Sequence, residues 1–168
     1  MTHTKSLVLL FSLTLMVSAC GKKEVETLPP PPGSLGDQAA RPTTSTAPGS
    51  QADFVQRMSG RDVIFFDTDR FNIDSADITA LQTQADWLRQ YPDKRAVIQG
   101  HADERGTREY NLALGERRAN AAKNYLTSLG IEASRLSVVS FGKERPAAVG
   151  SDENSWAQNR RAVTITID

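Results

Sequence analysis

Between Gly21 and Gln51 the chain is rich in Pro, Gly, Ser and Thr and poor in large apolar residues, with runs such as Pro29-Pro30-Pro31-Pro32 and Thr43-Thr44-Ser45-Thr46. A stretch of this kind cannot bury enough apolar area to offset the entropy of ordering it. Any packed core must therefore come from the residues beyond it, and residues 53–168 suffice for one domain of ordinary size rather than two. Residues 20–52 are expected to act as a tether with a flexible reach of roughly 30 Å, lengthened locally by the proline run.

The residues ahead of the tether have the grammar of a targeting signal. Lys5 gives a short basic start, residues 7–17 are almost wholly apolar, and Val17-Ser18-Ala19 places small residues before Cys20. The apolar run is short for a permanent membrane span. A cysteine directly after such a boundary resembles the lipobox of bacterial lipoproteins. That resemblance implies that residues 1–19 are removed as a signal peptide and that Cys20 is lipidated at the new N-terminus. Gly21, where an aspartate would retain the protein at the inner membrane, then implies delivery to the outer membrane.

Lys and Arg together number 20 and so do Asp and Glu, so the chain carries no net charge that would favour nucleic acid or an anionic membrane surface. Loss of the leader also removes His3 and leaves His101 as the sole histidine beside a single modified cysteine. A multi-histidine or cysteine-ligated metal centre, a cysteine nucleophile and an internal disulfide all lack the necessary atoms. Neither a metal nor a cofactor is expected.

Within residues 53–168 the hydrophobic pattern alternates between strand and helix. Residues 53–58 suit a short helix ended by Gly60, and Val63-Ile64-Phe65-Phe66 suits a buried strand. Asp74 or Ser75 can cap a helix carrying Ile78, Leu81, Ala85 and Leu88 at helical spacing, with Pro92 beyond its end. Ala96-Val97-Ile98 forms the next strand, and a polar loop over 101–107 leads into a long helix over about 108–129, closed by Gly130. Residues 136–141 and the alternating Val163, Ile165 and Ile167 supply two more strands, the last with one buried and one wetter face. The order β-α-β-α-β-β predicts an α+β two-layer sandwich, with a mixed sheet and both helices on one face.

On the long helix Leu114, Ala121, Ala122, Tyr125 and Leu129 share one stripe, and Arg118 falls near its middle. A guanidinium on an inward face costs several kcal/mol to desolvate unless it is answered. It can snorkel outward or pair internally with Asp103 or Asp67; alternatively it faces a pocket and takes a ligand carboxylate. Asp103, in the loop before that helix, can serve as a turn former. If it instead converges with Arg118 across a cleft, the two make a site for a zwitterion.

Gly100-His101-Ala102-Asp103-Glu104-Arg105-Gly106-Thr107, then Glu109-Tyr110-Asn111, then Leu114-Gly115-Glu116-Arg117-Arg118-Ala119-Asn120-Ala121 resembles the OmpA-like peptidoglycan-binding family in its lipoprotein form. Phe66-Asp67, Phe141-Gly142-Lys143-Glu144-Arg145-Pro146 and Asn159-Arg160-Arg161-Ala162-Val163 extend the likeness over nearly all of residues 53–168. The resemblance implies the OmpA-like two-layer fold and non-catalytic binding of the free end of meso-diaminopimelate in peptidoglycan stem peptides. Asp103 is then expected to take the ammonium and Arg118 the carboxylate, helped by Asn111, with Phe66, Asp67 and Leu114 shaping the pocket. Replacing either charge by alanine should abolish wall binding and leave the fold intact. The family further implies a link from outer membrane to wall within the Tol system, with TolB as partner and TolA as a second candidate, and a part in cell division. Two departures stand out: Ala102 replaces a threonine common in such relatives, and the stretch 67–72 is slightly long.

The remaining candidates have plainer readings. His101 suits a hydrogen-bonded turn better than general-base work, since no hydroxyl partner is evident. Asn159-Arg160-Arg161 suits an exposed basic patch, whereas the family resemblance implies that Arg160 or Arg161 braces the domain. Trp87 and Trp156 suit packing anchors or a protein-facing surface. A wall hydrolase would need two carboxyl groups flanking a bond, one of them with a raised pKa, and no pair is singled out.

Overall fold

The computed structural model describes residues 46–167. The expected leader, Cys20 and most of the tether lie outside them. The first helix, α1 (Gln51–Met58), is capped by Ser50, whose side chain accepts from the Asp53 backbone N–H, and it ends at Ser59 in the left-handed conformation. Phe54 and Met58, one turn apart, go into the core. Asp53 is buried on the same helix because its carboxylate is fully answered, by the Trp87 indole N–H, the Arg57 guanidinium and the Gly49 N–H.

Strand β1 (Val63–Phe65) precedes α2 (Ser75–Gln90), which is capped by Asp74 and buries Leu81, Ala85 and Leu88 as their spacing requires. Strand β2 (Arg95–His101) leads to α3 (Arg108–Ser128), capped by Thr107 and followed by Gly130 at φ +91°. A single 3-10 turn, Ala133–Arg135, introduces β3 (Leu136–Gly142). The chain then makes a further short helix, α4 (Glu153–Asn159), before β4 (Arg161–Ile167).

The four strands lie in the order β1-β4-β2-β3, with β4 antiparallel to both neighbours and β2 parallel to β3. The sheet is therefore mixed, as expected, with the last strand inserted at its centre rather than added at an edge. Helix α3 packs across β2 and β3, while α2 packs on β1 and against α3. Ile64, Ile98 and Ala162 from the sheet join Leu81, Leu88, Ala122 and Leu126 from these helices in one core.

Two local features differ from the hydropathy pattern. In β4 the buried set is Ala162, Thr164 and Thr166, and the apolar alternates Val163, Ile165 and Ile167 occupy the wetter face. Burial of the threonines is offset by partners on the helices: Thr164 Oγ1 donates to Gln84 Oε1, and the Thr166 N–H and hydroxyl donate to Gln51 Oε1. Helix α4 has no apolar periodicity and only seven residues; it stands on the Asp152 cap, which accepts from the Ser155 N–H and hydroxyl.

Candidate functional site

The site forms where the C-terminal ends of β1 and β2 meet the start of α3. Arg118 is fully buried there, in the middle of the inward face of α3. Each of its three nitrogens donates one hydrogen bond to a backbone carbonyl: Nη1 to His101 at 2.8 Å, Nη2 to Asp67 at 3.0 Å and Nε to Arg70 at 2.9 Å. The Phe66 ring lies against the guanidinium, 5.2 Å from its centroid. No carboxylate among the described residues pairs with Arg118 directly. Burial pushes its pKa down to about 10, with Arg160 adding to the effect and Asp103 and Asp69 opposing it.

Asp103 is also buried, and its carboxylate is held by cations. Arg105 chelates it, Nε to Oδ1 at 3.1 Å and Nη2 to Oδ2 at 2.7 Å, while the Arg105 backbone N–H also donates to Oδ1. Arg160 Nη1 stands 3.5 Å from Oδ2. Burial works to raise the pKa of Asp103, but the hydrogen bonds and charge of Arg105 outweigh it and hold the carboxyl below its usual value.

A cavity of about 260 Å³ opens above these residues, lined by Thr68, Asp69, Asp103, Arg105, Gly106 and Tyr110. Arg118 feels the charges of Asp103 and Asp69, two of the cavity's walls, but is itself fully buried and does not line it. The segment between β1 and α2 forms its lid. Asp69 sits at φ 55° and accepts from the Tyr110 hydroxyl at 3.1 Å, and Thr68 Oγ1 accepts from Arg105. The same segment supplies the carbonyls of Asp67 and Arg70 to Arg118, so it spans the distance between the cavity mouth and the buried charge.

The expected site residues divide into three groups. Asp103 lines the cavity, whereas Arg118 is buried and forms no part of its lining. Asn111, Leu114 and Phe66 are buried behind them: Asn111 Nδ2 donates to the Arg105 carbonyl at 2.8 Å and so fixes the loop. The Asp67 side chain turns instead toward a neighbouring cavity of about 300 Å³, shared with Phe65, Phe66, Asp74 and Arg160. Sequence reasoning missed Thr68, Asp69, Arg105 and Tyr110 as cavity walls. Arg160, one of two candidates for a brace, joins Asp103 to the Phe66 carbonyl and to Glu153.

The buried His101 ring makes no well-formed hydrogen bond, although the Arg145 backbone lies near enough to favour its protonated form; its carbonyl accepts from Arg118. Among the described residues no group of three or more His, Cys, Asp or Glu side chains is placed to hold a metal ion, and no helix is long and apolar enough to cross a membrane.

This sequence and this architecture have counterparts among known proteins. The OmpA family model matches residues 65–160, which include every cavity residue named above. Peptidoglycan-associated lipoproteins of Agrobacterium fabrum and Rhizobium meliloti are each 48% identical to this chain, over 94% and 91% of its length and 85% and 82% of their own. This chain belongs to the OmpA family, among its peptidoglycan-associated lipoproteins. The crystal structure of the peptidoglycan-associated lipoprotein from Burkholderia pseudomallei superposes with a TM-score of 0.61 at 45% identity, covering 62% of this chain and 89% of that one. The cell wall anchor of the T6SS from Pseudomonas aeruginosa shares the fold with a TM-score of 0.57 at 21% identity, covering 72% of this chain and 98% of that one. The α+β sandwich is thus the OmpA-like one that the motifs implied.

Proposed function

We propose that this chain is a non-catalytic outer-membrane lipoprotein that grips peptidoglycan through the free end of meso-diaminopimelate. One observation carries the reading: Arg118 is fully buried with carbonyls but no carboxylate to answer it, within electrostatic reach of Asp103 and Asp69 on the wall of a cavity. A buried cation of this kind leaves room for an anion, and a ligand carboxylate supplies one with charge-assisted hydrogen bonds. The ammonium on the same carbon then meets Asp103. The lid residues 67–70 must yield their carbonyl bonds to Arg118 as the carboxylate arrives. Names of close relatives, which are peptidoglycan-associated lipoproteins, support the same assignment.

Residues 1–19 serve as signal peptide, Cys20 carries the lipid, and the chain up to residue 52 spaces residues 53–168 away from the outer membrane. The domain then works in the periplasm as part of the Tol system, with TolB and TolA as partners in envelope integrity and division. A hydrolytic role finds no support in Asp103, whose lowered pKa is the reverse of what a general acid needs.

Co-sedimentation with purified sacculi tests the reading. Asp103→Asn, which keeps the Oδ1 acceptor for the Arg105 N–H and removes the charge, should lose pelleting while still folding cooperatively, at a lowered melting temperature because Arg105 and Arg160 lose their carboxylate. Free meso-diaminopimelate should compete the parent off the wall. Full pelleting of the variant, or indifference to the free amino acid, refutes it.

A further inference from the structure

Asp103 already holds a cation at the cavity wall, and the geometry of that contact has consequences for binding. The guanidinium of Arg105 uses two donors on the two oxygens of one carboxylate, and the same side chain reaches Thr68 Oγ1 at 3.3 Å, across the cavity mouth. Its Cζ also lies 4.2 Å from the centroid of the Trp156 ring, whose indole N–H donates to Glu104. The two cations on Asp103 differ in freedom. Arg160 has a 7% exposed side chain and is tied to the Phe66 carbonyl and Glu153, whereas the Arg105 side chain is 38% exposed.

We infer that Arg105 is a resident counter-cation that occupies the place of the ligand's ammonium on Asp103 and must release it for the head group to bind. The inference rests on the proposed reading of the site. The contacts favour the exchange: Asp69, the other carboxylate on the cavity wall, accepts from Tyr110, while Asp103 already carries Arg160 and both carboxylate oxygens are taken by Arg105, so an ammonium on Asp103 competes with Arg105 for the same acceptors. Of Arg105, Arg118 and Arg160, only Arg105 can leave without stripping a backbone carbonyl of its donor. Trp156, over which the guanidinium already lies while it chelates Asp103, can keep the cation beside the cavity as the carboxylate contacts are lost. Arg105 thereby sets affinity and discrimination: a ligand must bring an ammonium able to replace a bidentate guanidinium, and neutral groups cannot do so.

The test compares the full parent chain with Arg105→Gln and Arg105→Lys, using calorimetry with free meso-diaminopimelate. Arg105→Gln should bind about fivefold more tightly, the value of one partly exposed ion pair no longer broken. The Asp103 carboxyl, followed by carbon-13 NMR, should titrate at higher pH in that variant before ligand is added, while Arg105→Lys, which keeps the charge but not the bidentate contact, falls between the parent and Arg105→Gln in both respects. In the parent itself, the Arg105 Nε–H signal should exchange faster with solvent once ligand is added. Unchanged or weaker binding by Arg105→Gln, or an Arg105 signal indifferent to ligand, overturns the inference while leaving the site reading intact. If the parent binds no meso-diaminopimelate, the reading of the site falls and this inference with it.

Discussion

Gly100 at the end of β2 and Gly115 on α3 meet backbone to backbone. A methyl group on Gly100 would fall inside the contact radius of the Gly115 carbonyl oxygen, and one on Gly115 would come 2.9 Å from the Gly100 carbonyl oxygen. This approach seats α3 directly on the sheet, and Arg118, three residues on, then reaches the carbonyl of His101, the residue after Gly100. Gly100→Ala should destabilise the domain by about 3 kcal/mol, because the obstructing atoms all belong to the Gly115 backbone and cannot swing aside. Urea denaturation measures the loss, and an unchanged midpoint would show that the helix can lift off the sheet at no cost.

Arg118 is as much a part of the fold as of the site. Its replacement by alanine strips donors from the carbonyls of Asp67, Arg70 and His101 and opens a cavity in the core. The expectation that this change spares the fold is therefore corrected: Arg118→Ala should cost at least about 3 kcal/mol. Arg118→Lys, which keeps the charge with a less suitable donor geometry, should lose less than the alanine variant. Equal melting of Arg118→Ala and the parent would contradict the role given to the three carbonyl bonds.

That arginine shows where reading the sequence succeeds and where it stops. Its inward position follows from the stripe on α3, because helical periodicity is local. Its partners do not: two of them lie on the segment between β1 and α2, about fifty residues away, and backbone carbonyls leave no mark on composition. The same limit explains β4. Thr164 and Thr166 are buried because Gln84 and Gln51 answer them from other elements, a pairing that overrides the apolar side of the alternation. Helix α4 escaped because its stability comes from the Asp152 cap and from Asn159 bonding to Ala147 and Ala148 rather than from an apolar face.

Asp77 is poorly served by its surroundings and should reveal this in its pH dependence. Its Oδ1 accepts from the Phe65 N–H of β1, but the buried Oδ2 has no partner. Burial and the nearby Asp74 carboxylate raise its pKa above the ordinary 3.8. A folded-state pKa above the unfolded one stabilises the fold at pH below the unfolded value, and that contribution fades as pH rises through the folded pKa. Asp77→Asn keeps the Phe65 bond without the buried charge and should be more stable at pH 7 by about 1 kcal/mol. Its advantage should vanish below about pH 4, since the parent carboxyl is then protonated in both states. Chemical denaturation at the two pH values checks this, and an advantage that persists in acid would assign the effect to packing instead.

His101 should govern the acid limit of the domain. Its ring is buried against Phe141 at 5.5 Å, and burial, with the charge of Arg161 next and the Arg145 backbone opposing, pushes its pKa down to about 4. The unfolded chain takes up this proton near the ordinary 6.5, so the folded state binds fewer protons than the unfolded one between the two values. Stability must then fall as pH drops from 6.5 toward 4, by at most about 3 kcal/mol, and level off below for this group. His101→Leu should remove that slope while leaving the carbonyl bond from Arg118 in place. Unfolding free energies across the range decide it: a parent curve that is flat there, or a variant with the parent's slope, means that the imidazole is protonated where it sits.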